Sequence, residues 1–243
     1  SFDGSDDYVD LNYDYFTLDI GQHDGCNYTI SVDVYVEDLS NDPVLLGNSN
    51  LNTGLYIQAN SSGQVVLKVG SPSFGSPEGI INENTWHHIT VNTDCYYYNR
   101  LWVDGVEYSL GDGGIDLSHP DRTVYLGYSN GLNDTGQEFN GLMDELSIFH
   151  AVITQDEFDG YDFSTPENIP NLLGYYNFLK NDENILYDLS GNGNDGTIYG
   201  ATWSTNVPIP SIDESTYTFN VETETDGVIG ISIAADVTQD AAG

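Results

Sequence analysis

The segment Tyr28-Thr-Ile-Ser-Val-Asp-Val-Tyr-Val36 sets the pattern that decides the fold of this chain. Its even-numbered positions from Ile30 to Val36 are aliphatic, and the positions between them are mostly polar. Such alternation predicts a β-strand with one face in a core. The run 65–69 repeats the pattern, and 101–108 reads as a hairpin around Asp104-Gly105, a dipeptide favoured in tight turns. Many short strands separated by Gly, Asn and Asp turns predict an all-β antiparallel sandwich or jelly roll.

Helical periodicity is nearly absent from the sequence. The segment 154–158 is the one helix-like element, because Thr154 can cap a helix and Glu157 can complete a capping box. We expect one or two helical turns there.

The charge balance limits the partners and the medium. The net charge is −35, from 39 acidic residues against four Lys and Arg. Nucleic acid and anionic membranes are excluded as partners, since both require basic surfaces, and no run reaches the roughly 18 apolar residues of a spanning helix. A high-salt or calcium-rich extracellular medium suits the many carboxylates. A surface selected only for solubility is the alternative.

The two cysteines suggest a crosslink. Cys26 precedes the strand-like run 29–36, and Cys95 follows the run 86–91. If these runs pair antiparallel, the cysteines meet, and a disulfide formed in an oxidising compartment is geometrically sensible. Two free buried thiols are the alternative.

A calcium site is predicted from one strand and one loop. Asp144 shares parity with Leu142, Leu146 and Ile148, so it would face the core and need a partner. With four basic residues in the chain, a metal ion is the favoured partner. The loop Asp188-x-Ser190-x-Asn192-Gly193 places oxygen ligands at alternate positions before a glycine, as calcium loops do. The predicted ligands are Asp144, Asp188, Ser190, Asn192 and Asp195, with Gly4 and Asp6 from the N-terminal segment.

An Asn- and Asp-rich turn that hydrogen-bonds to itself is the alternative for the 188–195 loop. The loop also departs from the helix-loop-helix calcium motif, because Tyr199 stands at its twelfth position. Both interpretations stay open on the sequence.

A domain boundary is predicted near Asn206-Val-Pro-Ile-Pro210. Residues 1–205 would form the main domain, and 206–243 a linker with two alternating runs, 216–221 and 228–234. Because two strands cannot form an independent core, this extension would dock on the main domain, begin a second domain, or pair with a neighbouring molecule through residues 211–243.

Seven segments follow one another in a characteristic order over about 1–205. They are Phe2–Val9, Tyr28–Val36, Trp86–Val91, Leu101–Gly105, Phe139–Ile148, Leu173–Phe178 and Asp188–Trp203. In this order they resemble the laminin-G-like or pentraxin-like domains of the concanavalin A-like lectin/glucanase superfamily. The resemblance implies a concanavalin-type jelly roll of two sheets, usually with a structural calcium, in secreted or surface proteins that bind glycans or proteins.

We therefore expect a non-catalytic, calcium-stabilised module for glycan binding or cell-surface adhesion, extracellular and in a high-salt or marine setting. One alternative is a structural subunit of a filament or surface layer, assembled through the C-terminal strands. The other is an accessory or catalytic domain of a glycoside hydrolase, which is disfavoured because 143–148 lacks a second acid at alternate spacing. His87 and His88 should face opposite sides of a sheet. Tyr96, Tyr97, Tyr98 and Tyr128 are candidates for stacking on sugar rings.

Overall fold

The computed structural model describes residues 1–12, 27–47, 55–69, 73–94, 99–111, 123–128, 137–179 and 184–208. The predictions for Cys26, Cys95, Tyr96, Tyr97, Tyr98 and the segment 211–243 lie outside these residues. The strands are β1 Phe2–Asp3, β2 Tyr8–Asp10, β3 Asn27–Val36, β4 Val44–Gly47, β5 Leu55–Ala59, β6 Val65–Val69, β7 Ser73–Gly75, β8 Trp86–Asp94, β9 Asn99–Val103, β10 Val106–Gly111, β11 Tyr125–Leu126, β12 Asn140–Phe149, β13 Leu172–Tyr176, β14 Ile185–Leu186 and β15 Gly196–Tyr199.

These strands form two antiparallel sheets. Sheet A has the order β1-β12-β3-β8-β9-β10, with β13 also paired to β12, and sheet B has the order β14-β15-β2-β11-β4-β5-β6-β7. The two sheets confirm the predicted sandwich. Within the described residues, no helix has the length and apolar content needed to cross a membrane.

The core lies between the sheets and is built from the alternating positions that the sequence indicated. Ile30, Val32, Val34 and Val36 of β3 are all at most 3% exposed. They belong to one apolar cluster that includes residues of both sheets, such as Leu67 of β6. The alternating pattern of β3 therefore predicted its buried face correctly.

β3 and β8 pair antiparallel, with Asn27 opposite Asp94. This is the strand pairing on which the disulfide prediction depends. The disulfide between Cys26 and Cys95 itself stays a prediction.

A bulge in β12 changes the face on which Asp144 lies. The pairing of β12 with β3 shifts register between Asp144 and Ser147, and Glu145 has a left-handed φ of 49°. Asp144 stands opposite Asp33, whereas Ile148 stands opposite the core residue Ile30. Asp144 is buried, as predicted, at 6% exposed. The expectation that it shares the core face of Leu146 and Ile148 is wrong, because the extra residue of a bulge inverts the alternation.

A second, smaller apolar cluster covers one end of the outer face of sheet A. The helix α1, Gln155–Asp159, begins at Thr154, whose side chain accepts a hydrogen bond from Glu157 N while the Glu157 carboxylate accepts one from Thr154 N. This confirms the predicted capping box. Phe158 of this helix packs on Phe149 of β12. The helix therefore covers part of the outer face of sheet A.

Candidate functional site

Four tyrosines form a cluster on the outer face of sheet B. Tyr8 of β2 stacks on Tyr199 of β15, with ring centroids 4.6 Å apart. Tyr8 also contacts Tyr125 at 5.9 Å and Tyr128 at 5.6 Å. Because Val9 and Leu126 point into the core, their neighbours in sequence project to the outside of the sheet. We call Tyr8, Tyr125, Tyr128 and Tyr199 the tyrosine cluster.

An open groove of about 350 Å³ runs beside the tyrosine cluster. Its lining comprises Ser5, Asp6, Tyr8, Tyr125, Tyr128 and Glu138, and we call it the tyrosine groove. Its volume lies within the range of ligand-binding clefts in proteins. Aromatic faces with hydroxyl tips beside carboxylates offer both stacking and hydrogen-bond acceptors, which is the chemistry that suits a ring bearing hydroxyl groups.

An acidic turn lies next to the tyrosine groove. One oxygen each of Asp3, Asp6 and Asp7 lies within 4.8 Å of the others. The Asp7 carboxylate accepts a hydrogen bond from Asp3 N at 2.8 Å and is 7% exposed. Burial raises the pKa of Asp7, opposed by this hydrogen bond and assisted by the charges of Asp3 and Asp6. Calcium binds oxygens at 2.3–2.6 Å, so two ligands of one ion are at most about 5 Å apart, and the three residues fit a calcium ion.

The 188–195 loop is held by its own hydrogen bonds. The Asp188 carboxylate accepts from Tyr175 N at 3.1 Å, Ser190 N at 2.9 Å and Asn194 N at 2.9 Å. Asp195 accepts from Asp188 N at 2.9 Å. The Asn192 amide donates to the carbonyl oxygens of Leu172 and Leu173 and to Ser190 Oγ. These contacts match the alternative of a self-bonded turn, and the loop's role as calcium ligand stays a prediction.

Asp144 lines a small cavity at the edge of sheet A. The cavity holds about 50 Å³ and is bordered by Met143, Phe178 and Trp203 among others. Asp144 is 6% exposed, and burial raises its pKa from the ordinary value of 3.8 to about 6. The indole nitrogen of Trp203 is buried and has no hydrogen-bond partner among the described residues. The lining is mostly apolar, and the cavity has room for one or two water molecules but not for a sugar ring.

A chain of hydrogen bonds on the outer face of sheet A has the order of a serine hydrolase triad. His88 Nε2 lies 3.0 Å from Ser31 Oγ, and His88 Nδ1 lies 2.6 Å from Asp33 Oδ1. Ser31 is fully buried, however, and its hydroxyl also bonds to Thr90 at 2.9 Å. A nucleophile must reach its substrate, so this chain serves to tie β3 to β8.

Glu145, another acidic residue of sheet A, also has a hydrogen-bond partner. Tyr175 donates its hydroxyl to Glu145 at 2.5 Å. Burial raises the pKa of Glu145, opposed by this hydrogen bond.

His87, on the other side of the sheet, is 5% exposed and bonds to Asp104 at 2.7 Å. The two histidines therefore face opposite sides, as predicted, and both hold strands in place.

The sequence indicated only part of the tyrosine groove. Tyr128 was a predicted ligand-binding residue and Asp6 a predicted metal ligand, and both line the groove. Tyr8 and Glu138 of its lining were missed, and so was Tyr199 of the tyrosine cluster. The only local signal was the position of Tyr8 beside the buried Val9, which places its ring on an outer face.

Comparison with known families defines the class of this protein. The model of laminin G-type domains in the concanavalin A-like lectin/glucanase superfamily matches residues 3–158, which is more than half of the chain. The chain therefore belongs to this superfamily, and the family resemblance of the sequence is confirmed. No curated protein matches it in sequence.

Three solved structures illustrate the similarity. A provisionally assigned carbohydrate-binding protein of Bacteroides ovatus ATCC 8483 has a TM-score of 0.62 at 18% identity, covering 83% of this chain and 58% of that one. Domain 4 of an arabinanase from Geobacillus stearothermophilus, in complex with arabinotriose, has a TM-score of 0.44 at 23% identity, covering 54% and 64%. The NanB sialidase of Streptococcus pneumoniae has a TM-score of 0.49 at 15% identity, covering 76% and 29%. The chain spans less than two thirds of each. Of the three, the Bacteroides ovatus protein has a TM-score above 0.5, and at 18% identity this similarity shows the fold alone.

Replacing Asp144 with Asn should stabilise the calcium-free protein at high pH. The folded pKa, about 6, lies above the ordinary 3.8, so the folded state favours the protonated acid. The contribution of the Asp144 carboxyl group to the free energy of unfolding is therefore largest below about pH 4. It is lost as the pH rises through 6. The increase in the pKa of Asp144 on folding corresponds to about 3 kcal/mol of stability in a dry site. Screening by nearby water reduces this to about 1–2 kcal/mol.

Urea unfolding of both proteins in EDTA checks this prediction. The gain from Asp144→Asn should appear at pH 8 and vanish near pH 4. A variant that is less stable than the wild type at pH 8, and only when calcium is present, would instead support Asp144 as a calcium ligand.

Proposed function

We propose that this protein is a non-catalytic module that binds glycans through the tyrosine groove, in an extracellular or cell-surface setting. The observation that carries the proposal is the tyrosine cluster, in which rings from β2, β11 and β15 gather beside a groove with two carboxylates. Pyranose rings stack on aromatic faces, and their hydroxyl groups donate to carboxylates. Membership of a superfamily that includes lectins agrees with this function.

Binding is favoured over hydrolysis by the state of the acids on sheet A. Asp33 is bonded to His88, and Glu145 to Tyr175. Asp144 borders a cavity of about 50 Å³, which does not admit a sugar. Inverting and retaining glycosidases both need a pair of carboxyl groups flanking an accessible glycosidic bond, and the described acids of sheet A offer no such pair in an open cleft.

Replacing Tyr8 with Ala should weaken glycan binding at least about tenfold. Tyr8 contacts the three other rings of the cluster, and truncating a central aromatic anchor costs more than about 1–2 kcal/mol at a binding hot spot. A glycan array identifies a ligand for the wild type, and titration calorimetry with that ligand compares the variant.

Tyr35→Ala is the matched control, because Tyr35 is equally half-buried but lies on sheet A against Trp86. It should bind as the wild type does. A wild type that binds no glycan on the array, or equal losses in the two variants, would overturn the proposed site.

We further propose that one calcium ion stabilises the module at the acidic turn, through Asp3, Asp6 and Asp7. Three carboxylates gathered within 4.8 Å repel one another unless a cation lies among them. The ion would supply charge neutralisation there. It would tie the turn after β1 to the start of β2, next to the tyrosine groove.

Calcium should raise the melting temperature, since a ligand of the native state stabilises it according to its occupancy. Asp7→Asn should remove most of this calcium-dependent rise, whereas the exposed Asp162→Asn should leave it unchanged. Melting curves in EDTA and in calcium, at low ionic strength, measure the effect. If the melting temperature of the wild type does not respond to calcium, the proposed ion is wrong.

A further inference from the structure

We infer that the tyrosine groove selects glycans built from protonated amino sugars, such as glucosamine oligomers, over neutral or anionic glycans. This inference rests on the proposed function of the groove as a glycan site. Beyond that function, it specifies that the bound sugar carries a positive charge.

The first observation is the charge of the groove itself. Asp6 and Glu138 line it together with Ser5 and three tyrosines, and this lining contains no basic side chain. In the calcium-free protein, neither carboxylate has a hydrogen-bond or ion-pair partner among the described residues. Unpaired carboxylates that face a ligand favour a positive group and disfavour a negative one.

The second observation is the scarcity of positive charge elsewhere. The chain has four Lys and Arg against 39 acids, and Arg100 lies 3.6 Å from Glu107 on sheet A, away from the groove. The field of the protein therefore attracts cations to its surface, the groove included, and repels sialic acids, uronates and sulfated sugars.

The third observation is the aromatic wall, which distinguishes an amino sugar from a simple cation. Tyr8, Tyr125 and Tyr128 present ring surface to the groove. A sugar ring can stack on these faces while its ammonium group lies between the rings and a carboxylate, and a cation near a tyrosine face is further stabilised. A flexible cationic peptide gains the charge interaction without the stacking of a rigid ring.

The experiment compares four hexamers by titration calorimetry in EDTA, so that no calcium neutralises Asp6. They are the glucosamine hexamer with protonated amines, its N-acetylated form, cellohexaose and hexalysine. The glucosamine hexamer should bind at least about tenfold more tightly than each of the others. Raising the salt from about 0.05 M to about 0.5 M should reduce that advantage, because salt screens exposed charges.

The double variant Asp6→Asn, Glu138→Gln should reduce the advantage over the neutral hexamers to less than about twofold. The matched control is Asp156→Asn, Glu167→Gln, which removes the same charge from exposed positions in the segment that covers sheet A. It should keep the advantage.

Three results would overturn the inference: neutral hexamers that bind as tightly as the glucosamine hexamer, hexalysine that does so, or an advantage that survives in the Asp6 and Glu138 variant. In the first case a loss of neutral-sugar binding in Tyr8→Ala would leave the proposed function intact. Failure of every glycan on the array and of every hexamer would instead contradict both.

Discussion

Replacing Gly141 with Ala should destabilise the protein by at least about 3 kcal/mol, among the larger losses for one residue. Gly141 lies in β12 between β1 and β3, with φ at 151°. A methyl group there would collide with the carbonyl oxygen of Tyr35 and would lie 2.8 Å from Phe139 Cζ. The backbones of β12 and β3 would have to separate where Gly141 pairs with Val36.

The melting temperature should fall by roughly 6–12 °C for a loss of this size. Gly79→Ala is the matched control, because Gly79 has a left-handed φ of 74° but no atom within 4 Å of the added methyl group. It should cost only about 1 kcal/mol, the penalty of the conformation alone. Equal losses in the two variants would show that the collision at Gly141 is relieved by a small shift.

Replacing Asp188 with Ala should destabilise the protein by about 3–5 kcal/mol, whether or not calcium is present. The carboxylate accepts three backbone N–H groups, from Tyr175, Ser190 and Asn194. Hydrogen bonds to a charged group each contribute about 1.5–3 kcal/mol, and buried donors left without a partner add to the loss. The loop would also lose one of its attachments to β13, the hydrogen bond from Tyr175 N.

Denaturant unfolding in EDTA and in excess calcium separates the two interpretations of this loop. An equal loss in both media is expected for a hydrogen-bonded turn. A loss confined to the calcium-containing medium would make Asp188 a metal ligand and contradict this expectation. Asp162→Ala is the control, since its exposed carboxylate accepts hydrogen bonds only from Ser164, and it should cost less than about 1 kcal/mol.

The hairpin at Asp104-Gly105 shows what local chemistry can predict. The dipeptide joins β9 to β10 with φ values of 51° and 76°, which are the left-handed values that such turns require. The same holds for the capping box at Thr154. Both signals lie within a few residues, so no knowledge of distant contacts was needed.

Asp144 shows where the alternation of a strand stops being a guide. Parity predicts a residue's face only while the strand stays regular, and the bulge at Glu145 inverts it. The sequence contains no clear mark of this bulge, since Glu145 is a non-glycine residue with a left-handed φ. The face on which Asp144 lies came only from the pairing with β3.

The β-strands and the two-sheet class could be predicted from the sequence, because they depend on alternation and turn residues. The acidity of the surface follows from composition, and the family follows from the order of the motifs. The contacts between side chains of distant segments are visible only in the tertiary structure. Tyr8, Tyr125 and Tyr199 come from strands far apart in the chain, and they gather because β2 pairs with β11 on one side and β15 on the other. Register between strands depends on the burial of whole faces, so the tyrosine cluster has no signature in any single segment.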